Sequence, residues 1–180
     1  MISSETLLHP GGYRTPWHSH RAGQLWRIAT GLLVIESQRG RSVVPAKHIG
    51  WIPPGNQHAA YSESAIEGSA IYLDPACCAR LPDVPALFEP DDLTHALFSR
   101  LSVAESEYDP RKLTLLLDEL AVARQVHFSL PVPTDPRLKN VVRHLLQFVD
   151  DNQTVEDHAR QAGMSVRTFN RRFRAGTGMN

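Results

Sequence analysis

The apolar period of this chain changes once, near Pro90, and that change constrains its fold more than any other feature. Before Pro90, apolar residues come in short runs broken by Gly and Pro. The runs at 25–29, 32–36, 43–44, 48–52 and 65–73 are rich in β-branched and aromatic residues. Many short strands at near-regular spacing, with turn residues between them, predict a sandwich or barrel. After Pro90 the spacing becomes helical. Leu93, Leu97, Leu101 and Ala104 form one stripe. Asp109-Pro110 then supplies an N-cap and a first-turn proline for a helix carrying Leu113, Leu116, Leu117 and Leu120. The expectation is an α+β chain, with a β-barrel over residues 1–90 and a helical hairpin over 91–128. Leu115, Val122 and Val126 leave the second helix more apolar than one packed face requires. That excess predicts a homodimer through the hairpin.

Residues 129–134 read as a linker, because Pro131 and Pro133 favour extended backbone. Asp135-Pro136 then repeats the cap-plus-proline signal and opens a helix with Leu138, Val141, Val142, Leu145 and Val149 on one side. Thr154, with Asp157 three residues on, approaches a capping box for a short helix lined by Val155, Ala159 and Ala162 and ended by Gly163. Ser165 caps a further helix. In it Val166, Phe169 and Phe173 share one face, while Arg167, Asn170, Arg171 and Arg174 share another. Helix, tight glycine turn and second helix predict a helix-turn-helix over residues 135–180, the arrangement that lays its second helix in the DNA major groove. Charge agrees in direction. Residues 1–134 carry 11 basic and 14 acidic side chains, whereas 135–180 carry 8 basic and 5 acidic.

A second constellation lies in the β-rich half. His18 and His20 are two apart and would share a strand face, Gln24 follows at even spacing, and His58 comes after Pro53-Pro54-Gly55. Three imidazoles and an amide aimed at one point suit a divalent ion such as Zn²⁺ or Ni²⁺, or the polar mouth of a pocket for an organic effector. His48 has the wrong spacing for the set and reads as a strand residue. Trp17, Trp26 and Trp51 read as core or pocket wall. The only cysteines, Cys77 and Cys78, are sequence neighbours, which suits a reducing cytoplasm. No apolar run reaches the ~20 residues of a membrane helix, and the N-terminus has no basic-then-apolar signal.

The histidine segments resemble the two motifs of the cupin superfamily, small β-barrels of the double-stranded β-helix type. Gly12, His18, His20 and Gly31 fall in register with the first motif, and Gln24 stands where that motif carries an acid. Pro53, Gly55 and His58 match the second, while Ser62 replaces its Asn and Lys47 stands at its leading Gly. Residues 155–179 resemble the first helix-turn-helix of the AraC family of bacterial transcription regulators, many of which carry a cupin-like sensor in front. The combined resemblance implies an effector-responsive, double-stranded-DNA-binding regulator without enzymatic activity. In it Arg167, Asn170 and Arg171 would meet bases, and Thr168 and Arg174 would lie nearer to phosphates. His18, His20, His58 and Gln24 would form the metal or effector site. Members of that family continue into a long connecting helix and a second helix-turn-helix, so the stop at Asn180 implies truncation within the DNA-binding domain. The alternative is a metal-dependent cupin enzyme of dioxygenase or isomerase type, which leaves the arginine face unexplained.

Overall fold

The computed structural model describes residues 2–38, 40–103, 109–126, 133–148 and 152–177. Expectations resting on Ala104, on 129–132 of the linker, on Val149 and on residues 178–180 lie outside them. In chain order the strands are β1 (Ile2–His9), β2 (Tyr13–Arg14), β3 (Gly23–Thr30), β4 (Leu33–Ser37), β5 (Gly40–Val44), β6 (Ile49–Ile52), β7 (His58–Ser62), β8 (Ile66–Leu73), β9 (Ala86–Glu89) and β10 (Arg124–Val126). The helices are α1 (Asp92–Leu101), α2 (Pro110–Val122), α3 (Pro136–Gln147), α4 (Val155–Gln161) and α5 (Val166–Thr177), with a 3-10 turn at Pro75–Arg80. The chain divides into two compact units, Met1–Phe128 and Ser129–Asn180.

In the first unit the strands form two antiparallel sheets. One runs β1-β8-β3-β6-β9-β10 and the other β2-β7-β4-β5. Strand alternation places two separate apolar clusters on the two faces of the larger sheet. Leu25, Ile49, Trp51, Ile71 and Leu73 face α1 and α2, where Phe98, Leu116 and Leu120 are fully buried. Trp26, Ile28, Ile52, Ile66 and Ala70 point the other way and pack with Leu33, Ile35 and Val44 of the smaller sheet. Each fully buried large apolar side chain contributes ~1.5–3 kcal/mol. The unit is a cupin-like β-sandwich with a helical layer on one face.

Both helices of that layer begin at an aspartate. Asp91 accepts from the Thr94 amide at 2.8 Å, and Asp109 from the Arg111 amide at 3.0 Å with Pro110 next. The helical reading of 110–126 is too long by one short element. At Ala123 the backbone turns extended (ψ 148°), and Val126 lies in β10, which pairs with β9. Of the three surplus apolar residues, Leu115 and Val122 therefore remain on the helix, at 41% and 82% exposure.

In the second unit Leu138, Val141, Ala159, Ala162 and Phe169 form the core. Asp135 caps α3 ahead of Pro136, and Thr154 and Asp157 form a reciprocal capping box on α4. Gly163, in a left-handed conformation (φ +62°), turns the chain so that Met164 N–H reaches the Ala159 carbonyl at 2.9 Å. Val155 stays outside this core, 44% exposed.

Candidate functional site

The histidine centre is built by a one-residue irregularity. The segment entering from β2 lies against β7, with Tyr13 opposite Ser62 and the Thr15 amide donating to Ala60 at 2.8 Å. Continued regularly, that register would set Trp17 opposite His58. Instead His18 and His58 exchange both backbone hydrogen bonds, at 2.9 Å each. One extra residue has entered at Pro16-Trp17, where proline offers no N–H to the ladder. The alternation is thereby rephased. Tyr13 and Thr15 face inward, then His18 and His20, while Trp17 is turned out and is 53% exposed. That differs from the expectation of a core or pocket-wall Trp17. Trp26 and Trp51 are buried as expected, and Trp51 donates to the Pro82 carbonyl at 2.7 Å.

The Pro53-Pro54-Gly55 turn fixes the other side. Gly55 takes a positive φ of 73°, and its amide donates to the His20 carbonyl at 2.8 Å. The turn thus holds both His20 and the start of β7. The ring nitrogens available for coordination on His18, His20 and His58 all lie within 4.8 Å of one another, and His58 is buried. Gln24 lines the same space, but its amide N–H donates to the Tyr72 hydroxyl at 3.1 Å. His48 lies just ahead of β6, its Nδ1 at 3.2 Å from the Ala46 carbonyl, and does not join the centre.

Protonation can be read from the neighbours. His18 Nδ1 is 2.8 Å from the Pro16 carbonyl, and His58 Nδ1 is 3.1 Å from the Asn56 carbonyl. A carbonyl oxygen only accepts, so both Nδ1 atoms carry the hydrogen. In the neutral rings both Nε2 atoms therefore present lone pairs. His20 Nε2 lies 3.1 Å from His18 Nε2. Burial holds His20 and His58 below the usual imidazole range, and the neighbouring rings push the same way. Nitrogen lone pairs gathered this closely suit a cation, and the backbone carbonyls on Nδ1 are the kind of outer partner that orients metal-binding imidazoles. The donor set fits a divalent ion of the Zn²⁺ or Ni²⁺ type, held by His18, His20 and His58.

The centre opens into a cavity of about 190 Å³ between the two sheets. Its wall includes residues not anticipated from the motifs: Glu5, Leu7 and His9 of β1, Trp26 of β3 and Tyr72 of β8. Glu5, Leu7 and His9 show the two-residue alternation of a strand, the one signal in the sequence that could have placed them there. Tyr72 donates its hydroxyl to Glu5 Oε2 at 2.8 Å, and burial together with that carboxylate raises its pKa to about 12.

In the second unit four of the five residues expected to meet DNA fall on one exposed face of α5. Arg167, Asn170, Arg171 and Arg174 are exposed, whereas Phe169 is buried and Val166 and Phe173 pack against the core. Thr168 is half-buried and tied to the start of its own helix, its amide donating to Ser165 Oγ at 3.3 Å. Arg172 turns away from the others and reaches Asp135 at 2.9 Å. Asp135, held by the Arg137 guanidinium and amide and then by Arg172, has its pKa lowered to about 2. That carboxylate ties the start of α3 to the middle of α5.

Residues 6–165 match the family described as the AraC-like ligand binding domain. Over 136 residues the chain is 31% identical to the HTH-type transcriptional regulator NimR of Escherichia coli (strain K12), covering 71% of this chain and 48% of that protein. The chain thus spans about half the length of that curated relative. The fold is similar to that of ToxT from Vibrio cholerae, with a TM-score of 0.51 at 9% identity over 99% of this chain and 77% of that one. With the family match running through both sheets, the histidine centre and the helical layer, this chain belongs to the AraC-like ligand-binding-domain family.

Proposed function

We propose that the chain is the sensing part, and the beginning of the DNA-reading part, of an effector-responsive transcription regulator. The observation that carries this reading is the order of two chemistries. A cavity ending in three converging imidazoles is followed by a helix whose arginine face is kept clear of its own core. In this reading residues 1–90 are the sensor barrel, 91–128 carry a dimer contact through α2, and 135–177 hold the first helix-turn-helix. His18, His20 and His58 hold a divalent ion, with Gln24 beside them. Arg167, Asn170 and Arg171 read base edges in the major groove, and Thr168 and Arg174 meet phosphates. The name of the NimR relative, a transcriptional regulator, supports the same assignment. No helix among the described residues is long and apolar enough to cross a membrane, and the proposed place of action is the cytoplasm.

Ligand binding rather than turnover suits the cavity. Its one carboxylate, Glu5, is engaged by the Tyr72 hydroxyl and so is poorly placed to serve as a general base. Selection of duplexes from a random pool by the full gene product tests the DNA reading. Enrichment of a defined site is expected, with Asn170→Ala and Arg171→Ala each lowering affinity by ~1–3 kcal/mol and relaxing preference at single positions. Arg174→Ala should weaken all sequences alike and flatten the salt dependence. If no site is enriched, or if Arg174→Ala changes the preferred bases while Arg171→Ala does not, the reading face is misassigned.

A further inference from the structure

We infer that the effector of this cavity is a small oxygen anion on an apolar body, a carboxylate or phenolate of about one ring in size, admitted only while the histidine centre holds its cation. The inference rests on the metal reading above and concerns what Gln24 does to it. The three imidazoles are neutral donors, and Gln24, in place of the acid of the cupin motif, is neutral as well. A divalent ion held by His18, His20 and His58 would therefore keep its full double charge inside a low-dielectric cavity, where charge is costly unless paired. The protein supplies at most one of the two counter-charges. Among the residues lining the cavity Glu5 is the one carboxylate, and its Oε2 is bound to Tyr72. The Gln24 amide is turned to the same hydroxyl, so both side chains are fixed in one chain of hydrogen bonds. The missing negative charge falls to the ligand.

Two further features narrow the class. Without the cation, the Glu5 carboxylate faces an incoming anion, and neither Lys nor Arg lines the wall to attract it. The same anion is thus rejected by the metal-free cavity and attracted by the loaded one, a coupling that acts in both directions. The rest of the wall is Leu7, Leu33, Ile35, Ala60 and Ile66, which solvates carbon. At about 190 Å³ the space is below the ~300–1,000 Å³ of pockets for drug-sized ligands, so the body is a single ring or a short chain.

Co²⁺ serves as a visible-absorbing probe in the intact chain, titrated with acetate, benzoate and salicylate and with the neutral acetamide and benzamide. The expected result is that at least one of the anions shifts the cobalt absorption and binds the loaded chain at least tenfold more tightly than the metal-free chain. The two amides should do neither. Gln24→Glu should keep Co²⁺ and lose at least tenfold in affinity for that anion, because it returns the counter-charge to the protein. Cobalt binding with no preference for any anion over its amide would overturn the inference and leave the metal site standing. So would a Gln24→Glu chain that binds Co²⁺ and the anion unchanged. Failure to bind Co²⁺ at all would overturn the metal reading, and the inference with it.

Discussion

Lys47 has a left-handed backbone, φ +67°, the single such non-glycine residue among those described. It occupies the position at which the second cupin motif begins with Gly. That backbone conformation is one glycine adopts without steric cost. A residue with a Cβ in this region costs on the order of 1 kcal/mol more than glycine, part of which glycine returns through its larger unfolded-state entropy. Lys47→Gly is therefore expected to stabilise the first unit by ~0.5–1 kcal/mol in chemical denaturation. A destabilised variant would show that the lysine side chain holds the turn in some other way. The converging histidines were legible because each sits at a fixed offset from a turn glycine. Glu5 and Tyr72 were not, because they reach the cavity from β1 and β8, whose pairing (Glu5 opposite Ala70, two residues before Tyr72 on the strand) is a long-range event.

At the scale of elements, local pattern and tertiary pairing divide the credit. The capped helices were readable, since Asp-Pro at 109–110 and 135–136 and Thr154 with Asp157 act within one turn. Three-residue β10 was not, because Arg124-Gln125-Val126 is too short to show a period and only β9 decides it. The outward turn of Trp17 has the same origin, a register set by β7. If the extra residue at Pro16-Trp17 is a simple bulge, deleting Trp17 leaves His18 opposite His58 and should preserve metal content by elemental analysis. Deleting Ser19 should instead rotate His20 off the centre and abolish it. A folded chain without Trp17 that no longer takes up metal would contradict this account of the rephasing. The proposed dimer contact now rests on Leu115 and Val122 of α2, without Val126. Light scattering should give a dimer at micromolar concentration, and Leu115→Glu should halve the mass. A monomeric parent chain would dismiss the contact.

For the molecule as a whole, the arrangement joins a unit with a neutral, cation-seeking centre to a unit with an arginine face. Neither property follows from overall composition, since the net charge of the full sequence is zero. The central claim is that His18, His20 and His58 act as one cation site. Calorimetric titration of Zn²⁺ or Ni²⁺ into chelator-treated protein tests it most directly, with His20→Ala as the comparison. The account predicts one ion per chain, a rise in thermal midpoint on loading, and loss of both in His20→Ala. Parent and variant chains that take up the ion equally, or a parent chain whose midpoint ignores it, would contradict the account.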